Sequence, residues 1–166
     1  MAHDGYLEVE LMGVRVEMPS NQPIMLLKEK EGIRYLPLWI GAVEATAIAF
    51  AQQDMKSPRP LTHELLLSIM EQLHGHLERV DVTSIEDGIF YAQLVLVTNQ
   101  GEVAISSRPS DAIALAIRAN KPIFVASNLL SEAGIEIPDD ENGNREDEVE
   151  KFREFLDQIN PEDFLG

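Results

Sequence analysis

The sequence predicts an α+β fold, in which a mixed, largely antiparallel sheet is covered by apolar helices. Three observations support it. Residues 6–18 alternate between apolar and polar side chains, which is the period of a half-buried strand. The Glu-Asp-Gly sequence at 86–88 separates two strand-like segments and is a strong hairpin signal. Two Ala-rich helical segments begin near Glu44 and Asp111, and three strand candidates precede each of them.

The first half of the chain is predicted to hold three strands and then a helix. Proline and glycine separate these elements, since both residues favour turns. The predicted elements are strands at 6–18, 24–29 and 33–40, a helix at 42–53, and turns or loops at 19–23, 31–32 and 55–60.

The second half is predicted to open with a helix at 61–73, for which Thr62 is the expected N-cap. The apolar face expected for this helix comprises Leu65, Leu66, Ile69, Met70 and Leu73. Pro109 suits the first turn of a later helix. The remaining predicted elements are strands at 77–85, 89–97, 102–106 and 122–126, and helices at 109–119 and 128–133.

The two Ala-rich segments resemble each other. Residues 44–50 (EATAIAF) and 111–117 (DAIALAI) each start with an acid and continue as a nearly all-apolar helix, so both are expected to be buried. Two pseudo-repeated β-β-β-α units, arising by duplication or by convergence, would explain this. The alternative is that any buried helix favours Ala, Ile and Leu.

The predicted domain covers residues 1–138. Beyond it, 139–144 has the composition of a linker, and 146–159 is predicted to form an amphipathic helix. The stripe of that helix consists of Val149, Phe152, Phe155, Leu156 and Ile159. We therefore expect 139–166 to be an acidic extension rather than part of the core.

Composition excludes several classes of protein. The 166 residues are enough for one domain with a sizeable core. The chain contains no cysteine, which excludes disulfides, thiolate metal sites and a cysteine nucleophile. No apolar run approaches the roughly 18 residues of a membrane span, and no secretory signal is visible. A cytoplasmic location with no membrane association is the resulting expectation.

The charge of the chain limits how it could bind nucleic acid. Its net charge is −16, and residues 139–166 hold 11 of its 29 acidic side chains but only three basic ones. Phosphate binding depends on Lys and Arg, so the overall field repels polyanions. A nucleic-acid role would need a local site, and a metal ion would help it.

Two acids and two arginines are candidate site residues. Glu44 and Asp111 fall in first helical turns, where a carboxylate either serves a site or simply complements the helix dipole. Arg59 and Arg108 each precede a proline in a loop that leads into a helix, a suitable place for binding an anion. The alternative for the arginines is an ion pair that fixes a loop, with Arg108 and Glu44 as the expected partners.

His63 is the remaining candidate. It falls in the first turn of the predicted helix 61–73, where an imidazole could act as general base, general acid or metal ligand. The alternative is a solvated histidine without a role. No P-loop, dinucleotide fingerprint, His-Glu-x-x-His or Gly-x-Ser-x-Gly motif is present, so spacing alone predicts no reaction.

Four blocks of sequence resemble the bifunctional nuclease family, and they occur in the expected order. The blocks are LPLWIGAVEA at 36–45, RPLTHEL at 59–65, DGIFYA at 87–92 and SRPSDAIALA at 107–116. The resemblance covers about residues 6–137 and leaves the acidic extension outside, as in some bacterial members. It implies an α+β domain and a homo-oligomer. The activity on RNA and DNA that gives the family its name is attributed to plant relatives.

The resemblance supplies no established catalytic set, so the site prediction combines its motifs with the chemistry of the residues. Glu44, His63 and Asp111 are the expected catalytic residues, and Arg59 and Arg108 the expected phosphate ligands. Glu44 and Asp111 would hold any metal, with Mg²⁺ or Mn²⁺ expected. The alternative function is a non-catalytic regulatory or ligand-binding module with an anion pocket. Exposed apolar surface around Trp39 and on the apolar helices also predicts a homo-oligomer, with a dimer favoured.

Overall fold

The computed structural model describes residues 3–17 and 20–137. The linker and amphipathic helix predicted for 139–144 and 146–159 lie outside these residues, so their boundaries stay a prediction.

The described residues form eight strands and four helices, and all of them except the last strand lie close to elements that the sequence predicts. The strands are β1 (Tyr6–Glu17), β2 (Gln22–Glu29), β3 (Arg34–Trp39), β4 (Gly75–Glu86), β5 (Ile89–Thr98), β6 (Gly101–Ser107), β7 (Ile123–Ala126) and β8 (Ile135–Glu136). The helices are α1 (Ala42–Gln52), α2 (Thr62–Gln72), α3 (Pro109–Ala119) and α4 (Ser127–Ala133).

All eight strands belong to one sheet, in the order β6-β5-β4-β7-β1-β2-β3-β8. Every neighbouring pair is antiparallel except β4 with β7. The predicted α+β class with a mixed, largely antiparallel sheet is therefore confirmed. Two three-stranded meanders, β1-β2-β3 and β4-β5-β6, lie on either side of β7, and the helices α1 and α3 follow them.

Local turn chemistry fixes two of the hairpins. Asp87 and Gly88 both have positive φ, 51° and 77°, which is the conformation of a type I′ turn between β4 and β5. Between β2 and β3, the guanidinium of Arg34 donates to both carboxylate oxygens of Glu29, at 3.0 and 3.1 Å. The chain turns at residues 30–33 and at 87–88, so the sequence signals for both turns are confirmed.

The main core lies between the sheet and the helices. Helix α1 packs on β1 and β2, helix α3 packs on β4 and β5, and the two helices pack on each other. Met25 and Leu27 of β2 enter this core, whereas Ile24 joins a smaller cluster with Tyr35 and Ile137. Because side chains alternate between the faces of a strand, the first meander is apolar on both faces.

The expectation that both Ala-rich helices are buried holds for only one of them. In α3, six of the eleven residues are buried. In α1, only Ala45, Ile48 and Ala51 are buried, while Val43 is 80% exposed and Phe50 is 36% exposed. Helix α1 touches the sheet and α3 along one side, which leaves its other side in solvent.

Helix α2 corrects the sequence prediction in two ways. Its N-cap is Leu61 rather than Thr62, and the carboxylate of Glu64 accepts the Leu61 N–H at 2.9 Å. Its residues that pack against the core are Leu67 and Met70. Four of the five residues expected on the apolar face, all except Met70, point outwards: Leu65, Leu66, Ile69 and Leu73 are exposed.

Candidate functional site

The first turns of α1, α2 and α3 hold three of the five predicted site residues. Glu44 is the third residue of α1, His63 the second of α2, and Asp111 the third of α3. Arg108 is the N-cap residue of α3, immediately before Pro109. The apolar packing of α1 and α2 against α3 places these polar positions next to one another.

Hydrogen bonds join four of the predicted residues into one chain of contacts. Arg108 donates from Nη1 to Glu44 Oε1 at 2.9 Å and from Nε to Asp111 Oδ2 at 2.8 Å. The other oxygen of Asp111 lies 3.0 Å from His63 Nε2. The ion pair expected between Arg108 and Glu44 is therefore present, and Asp111 connects it to the imidazole. We call these four residues the polar cluster.

Exposure differs sharply within the polar cluster. The side chain of Arg108 is 64% exposed, whereas His63, Glu44 and Asp111 are 14%, 20% and 30% exposed. A guanidinium has five N–H donors, and the two bonds above use two of them. Arg108 therefore presents donors to solvent while three half-buried side chains lie beneath it.

The ionisation of the cluster follows from these contacts. Burial raises the pKa of Asp111, but hydrogen bonds from Arg108 and His63 more than offset it, so the pKa lies below its usual value. Hydrogen bonds to Asp111 and Glu44 raise the pKa of Arg108. At neutral pH the cluster thus holds an ionised Asp111 next to a charged Arg108.

Gly41 makes room for Glu44. A Cβ added at Gly41 would lie 2.1 Å from Glu44 Oε2, which is far inside van der Waals contact. The glycine has φ of −75°, so its role is space rather than backbone freedom. Its missing side chain lets the carboxylate fold back over the start of α1 and reach Arg108.

Arg59 is not joined to the cluster. It is exposed in the loop between α1 and α2, four positions before His63, and it makes no hydrogen bond or ion pair with residues 3–17 and 20–137. The structure thus brings together Glu44, His63, Arg108 and Asp111 and leaves Arg59 at the surface nearby.

Arg118 is a residue that sequence reasoning missed. Its side chain is only 9% exposed, and its Nη1 lies 3.0 Å from Glu64 Oε1 and 3.3 Å from the Met55 carbonyl oxygen. It therefore ties the loop before α2 and the first turn of α2 to α3. The one available signal was a basic residue in the last turn of an otherwise apolar helix.

The polar cluster, as arranged, does not fit the expected divalent ion. Arg108 lies between Glu44 and Asp111 and donates one hydrogen bond to each carboxylate, so a lone pair on each is already occupied. In the described part of the chain, no group of three or more His, Asp or Glu residues is placed to ligate a metal. A divalent cation prefers several oxygen ligands, and here a guanidinium competes for them.

None of the helices within the described residues is long and apolar enough to cross a membrane. This agrees with the lengths above, since the longest helices have 11 residues.

Comparison with known proteins relates this arrangement to one family. A family model for the bifunctional nuclease domain matches residues 25–138, which include all five predicted site residues. An uncharacterized protein of Mycobacterium tuberculosis is 47% identical over 162 residues, or 95% of this chain and 97% of that protein. Bifunctional nuclease 1 of Arabidopsis thaliana is 28% identical over 122 residues, or 71% of this chain and 38% of the plant protein.

Membership rests on the first two matches together. The family model covers more than half of the chain, and the mycobacterial relative aligns over almost the whole length of both proteins. The chain belongs to the bifunctional nuclease domain family.

Proposed function

We propose that the chain hydrolyses phosphodiester bonds of RNA and DNA at the polar cluster. The observation that carries the proposal is the connected set of contacts from exposed Arg108 through Asp111 to His63. It combines a guanidinium that can bind phosphate with an imidazole that a carboxylate orients. Membership in the family, whose plant relatives are named bifunctional nucleases, supports the same reaction.

His63 is the proposed general base. An ionised carboxylate can only accept hydrogen bonds, so Asp111 fixes the hydrogen of neutral His63 on Nε2. The lone pair is then on Nδ1, which would take a proton from the attacking water or from a ribose 2′-hydroxyl. Asp111 stabilises the positive charge of the protonated imidazole, and the leaving oxygen takes its proton from solvent on the opposite side of the phosphorus.

Arg108 is the proposed phosphate ligand, and Glu44 holds its guanidinium in place. The exposed donors of Arg108 can pair with two phosphate oxygens, and they offset the charge that develops on them in the transition state. Arg59 is proposed to contact a neighbouring phosphate of the substrate from the loop that leads into α2.

Few cations take part in this scheme, and that sets its salt dependence. With one or two phosphate contacts, a plot of the logarithm of the nucleic-acid binding constant against the logarithm of the salt concentration should have a slope of about −1 to −2. This is far shallower than for a basic nuclease. A local site of this kind is compatible with the net charge of −16.

No step of this scheme runs through a metal ion. Dependence on Mg²⁺ or Mn²⁺ remains a prediction that chelation tests directly. Activity that disappears with chelator and returns with either ion would require Arg108 to leave the two carboxylates when the ion binds.

The deciding experiment compares wild type with Asp111→Asn, Glu44→Gln and Arg108→Ala, all purified in parallel. Labelled single- and double-stranded RNA and DNA are incubated with each protein, and the cleavage rates are compared. The melting temperature of each protein is measured on the same preparation. Selective loss of cleavage in folded variants supports the proposal. Equal cleavage by all four proteins would rule out Glu44, Arg108 and Asp111 as the residues responsible for it.

A second candidate function is a regulatory module that binds a small phosphorylated ligand. The observation in its favour is that Arg108 is the one arginine of the polar cluster in a chain of net charge −16, which suits a single phosphate group better than a polyanion. Calorimetry with mononucleotides would then show binding without turnover, and Arg108→Ala would abolish it.

A further inference from the structure

The segment 55–61, between α1 and α2, carries positive charge close to the polar cluster. Its sequence is MKSPRPL, so it holds Lys56 and Arg59 and no acidic residue. Every residue of the segment is exposed. A chain with a net charge of −16 therefore has a locally basic stretch immediately before the helix that carries His63. We call the segment 55–61 the basic loop.

One ion pair fixes both ends of the basic loop. At its start, the Met55 carbonyl oxygen accepts a hydrogen bond from Arg118 Nη1 at 3.3 Å, and the same nitrogen lies 3.0 Å from Glu64 Oε1. At its end, the N–H of Leu61 donates to the other oxygen of Glu64 at 2.9 Å. Because His63 is the neighbour of Glu64 in α2, these contacts hold the loop beside the imidazole.

Two prolines restrict the backbone between these fixed ends. The rings of Pro58 and Pro60 hold φ near −65°. Arg59 lies between them, and a residue that precedes a proline is restricted to extended conformations. The guanidinium of Arg59 is thus presented by a stiff backbone, which loses little conformational entropy when an anion binds.

Most other basic side chains of the described residues already have a partner. Those in ion pairs or over an aromatic ring are Lys28, Lys30, Arg34, Arg79 and Arg118. Arg15 lies opposite Ile24, on the face of the sheet that is turned away from α1 and α3. Lys121 follows the other end of α3, ten positions or about 15 Å along the helix axis from Asp111.

We propose that the basic loop is a second phosphate-binding site, which limits the substrate to a short oligonucleotide. This inference rests on the proposed function, in which Arg108 binds the scissile phosphate. Arg59 and Lys56 bind the next two phosphates of the same strand. The two residues are three positions apart, at most about 11 Å of chain, so they reach neighbouring phosphates and not distant ones.

The number of cations sets the length of the substrate. Arg108, Arg59 and Lys56 together contact three phosphates, which are those of a tetranucleotide without terminal phosphates. A longer strand gains no further cation from this site, and it meets the field of a chain with a net charge of −16. Affinity should therefore rise up to about four nucleotides and then stay level or fall.

The test measures binding as a function of length by fluorescence anisotropy of the full chain. The probes are labelled single-stranded oligonucleotides of two to about twenty nucleotides, with phosphorothioate linkages that keep the charge and resist hydrolysis. For the tetranucleotide, the logarithm of the binding constant should fall with the logarithm of the salt concentration with a slope of about −2, since each contact contributes about −0.7. The slope should not steepen for longer probes.

Lys56→Ala and Arg59→Ala identify the loop as the source of this length dependence. Each should weaken binding of the tetranucleotide about threefold to tenfold and make its salt slope shallower by about 0.7. The loss should be smaller for the dinucleotide, which has a single phosphate. Arg15→Ala is the matched control, because it removes one positive charge from the opposite face of the sheet, and it should bind like wild type.

Two results would overturn the inference. Affinity and salt slope that keep increasing to twenty nucleotides would show that further phosphates are bound. Binding by Lys56→Ala and Arg59→Ala that equals that of Arg15→Ala would place the phosphates elsewhere. Circular dichroism of each variant ensures that a loss of binding reports a folded protein.

Cleavage of unmodified oligonucleotides of the same lengths separates this inference from the proposed function. Binding with the expected length dependence but without cleavage would contradict hydrolysis and leave the basic loop as a binding site for short oligonucleotides. Cleavage whose kcat/KM for each bond keeps increasing with length would support hydrolysis and contradict the limit to short substrates. Absence of binding at every length would contradict both.

Discussion

His63 and Asp111 are 48 positions apart in the sequence, yet His63 Nε2 lies 3.0 Å from Asp111 Oδ1. The contact joins the start of α2 to the start of α3 and fixes the orientation of the imidazole. It also connects His63 to Arg108, since the second oxygen of Asp111 accepts from that guanidinium. The following predictions depend on this relationship.

Replacing Asp111 by Asn keeps the shape of the side chain and removes its charge. If Asp111 orients His63 for catalysis, the cleavage rate should fall at least tenfold, or about 1.4 kcal/mol of barrier. If it only complements the helix dipole, the rate should hold and the free energy of unfolding should fall by about 0.3–1 kcal/mol. Asp54→Asn is a suitable control, because Asp54 is exposed with φ of 49°, a conformation that Asn accepts.

Stability in acid should depend on Asp111. Its pKa in the folded chain lies below the ordinary value of about 3.9, so the unfolded state binds the proton more readily. The stability that ionised Asp111 gives the folded chain is therefore fully present well above pH 4. It is lost as the pH falls through the lowered pKa of the folded state. Denaturant unfolding from pH 7 to pH 2.5 should show a smaller acid loss in Asp111→Asn than in wild type.

A second carboxylate with a lowered pKa serves as the control for this acid unfolding experiment. The pKa of Glu29 is lowered by its hydrogen bonds with Arg34, far from the polar cluster. Glu29→Gln should remove a similar part of the acid dependence without changing the cleavage rate. An acid profile of Asp111→Asn that superimposes on wild type would contradict the ionic contacts of Asp111.

Gly41→Ala should disturb Glu44 while leaving the fold intact. The new Cβ would lie 2.1 Å from Glu44 Oε2, so the carboxylate must swing away from Arg108. Because φ of −75° suits alanine, the free energy of unfolding should change by less than about 0.5 kcal/mol. Substrate titration of the rate should then show an altered KM, which a purely structural Glu44 would not produce.

Arg118→Met should weaken both the fold and the site. It removes the partner of Glu64 and of the Met55 carbonyl, which should lower the free energy of unfolding by about 1–3 kcal/mol. The cleavage rate should also fall, because the first turn of α2 positions His63. Arg15→Met, at an exposed site on β1, is the control. An unchanged rate in Arg118→Met would show that His63 needs no support from Arg118.

Truncation after Pro138 should leave a folded domain. Within the described residues the main core already joins residues from Val9 to Leu130. We expect cooperative unfolding close to that of the full chain by denaturant titration. A truncated protein that aggregates on purification would show instead that the apolar stripe of the extension packs on the body.

The sequence alone predicted the elements of the fold well. Alternation at 6–18, the Asp87-Gly88 turn and Pro109 at the start of α3 are local signals, because each reflects the conformational preference of its own residues. The same locality limits them. The pattern could not show that β7 lies between β1 and β4, since strand neighbours are chosen by packing of distant segments. The two-residue strand β8 is too short to have a period.

The polar cluster was predictable as residue types and as one ion pair, Arg108 with Glu44, but not as the connected geometry that adds Asp111 and His63. First-turn acids and arginines before proline identified Glu44, Asp111 and Arg108, because helix ends attract charge of known sign. Arg59 has the same local signal as Arg108, yet among the residues that the structure describes only Arg108 of the two reaches a carboxylate. That difference depends on the packing of α1 against α3, and no local pattern describes it.

Helix α2 shows the physical reason for this limit. The sequence by itself determined that residues 61–73 form an amphipathic helix, since a 3.6-residue period is a property of the chain. Only the tertiary structure decided that Leu67 and Met70 face the core while Leu65 and Ile69 face solvent. The period is the same whether the apolar side meets the core or another surface, so which side is buried depends on what lies against the helix in the folded chain.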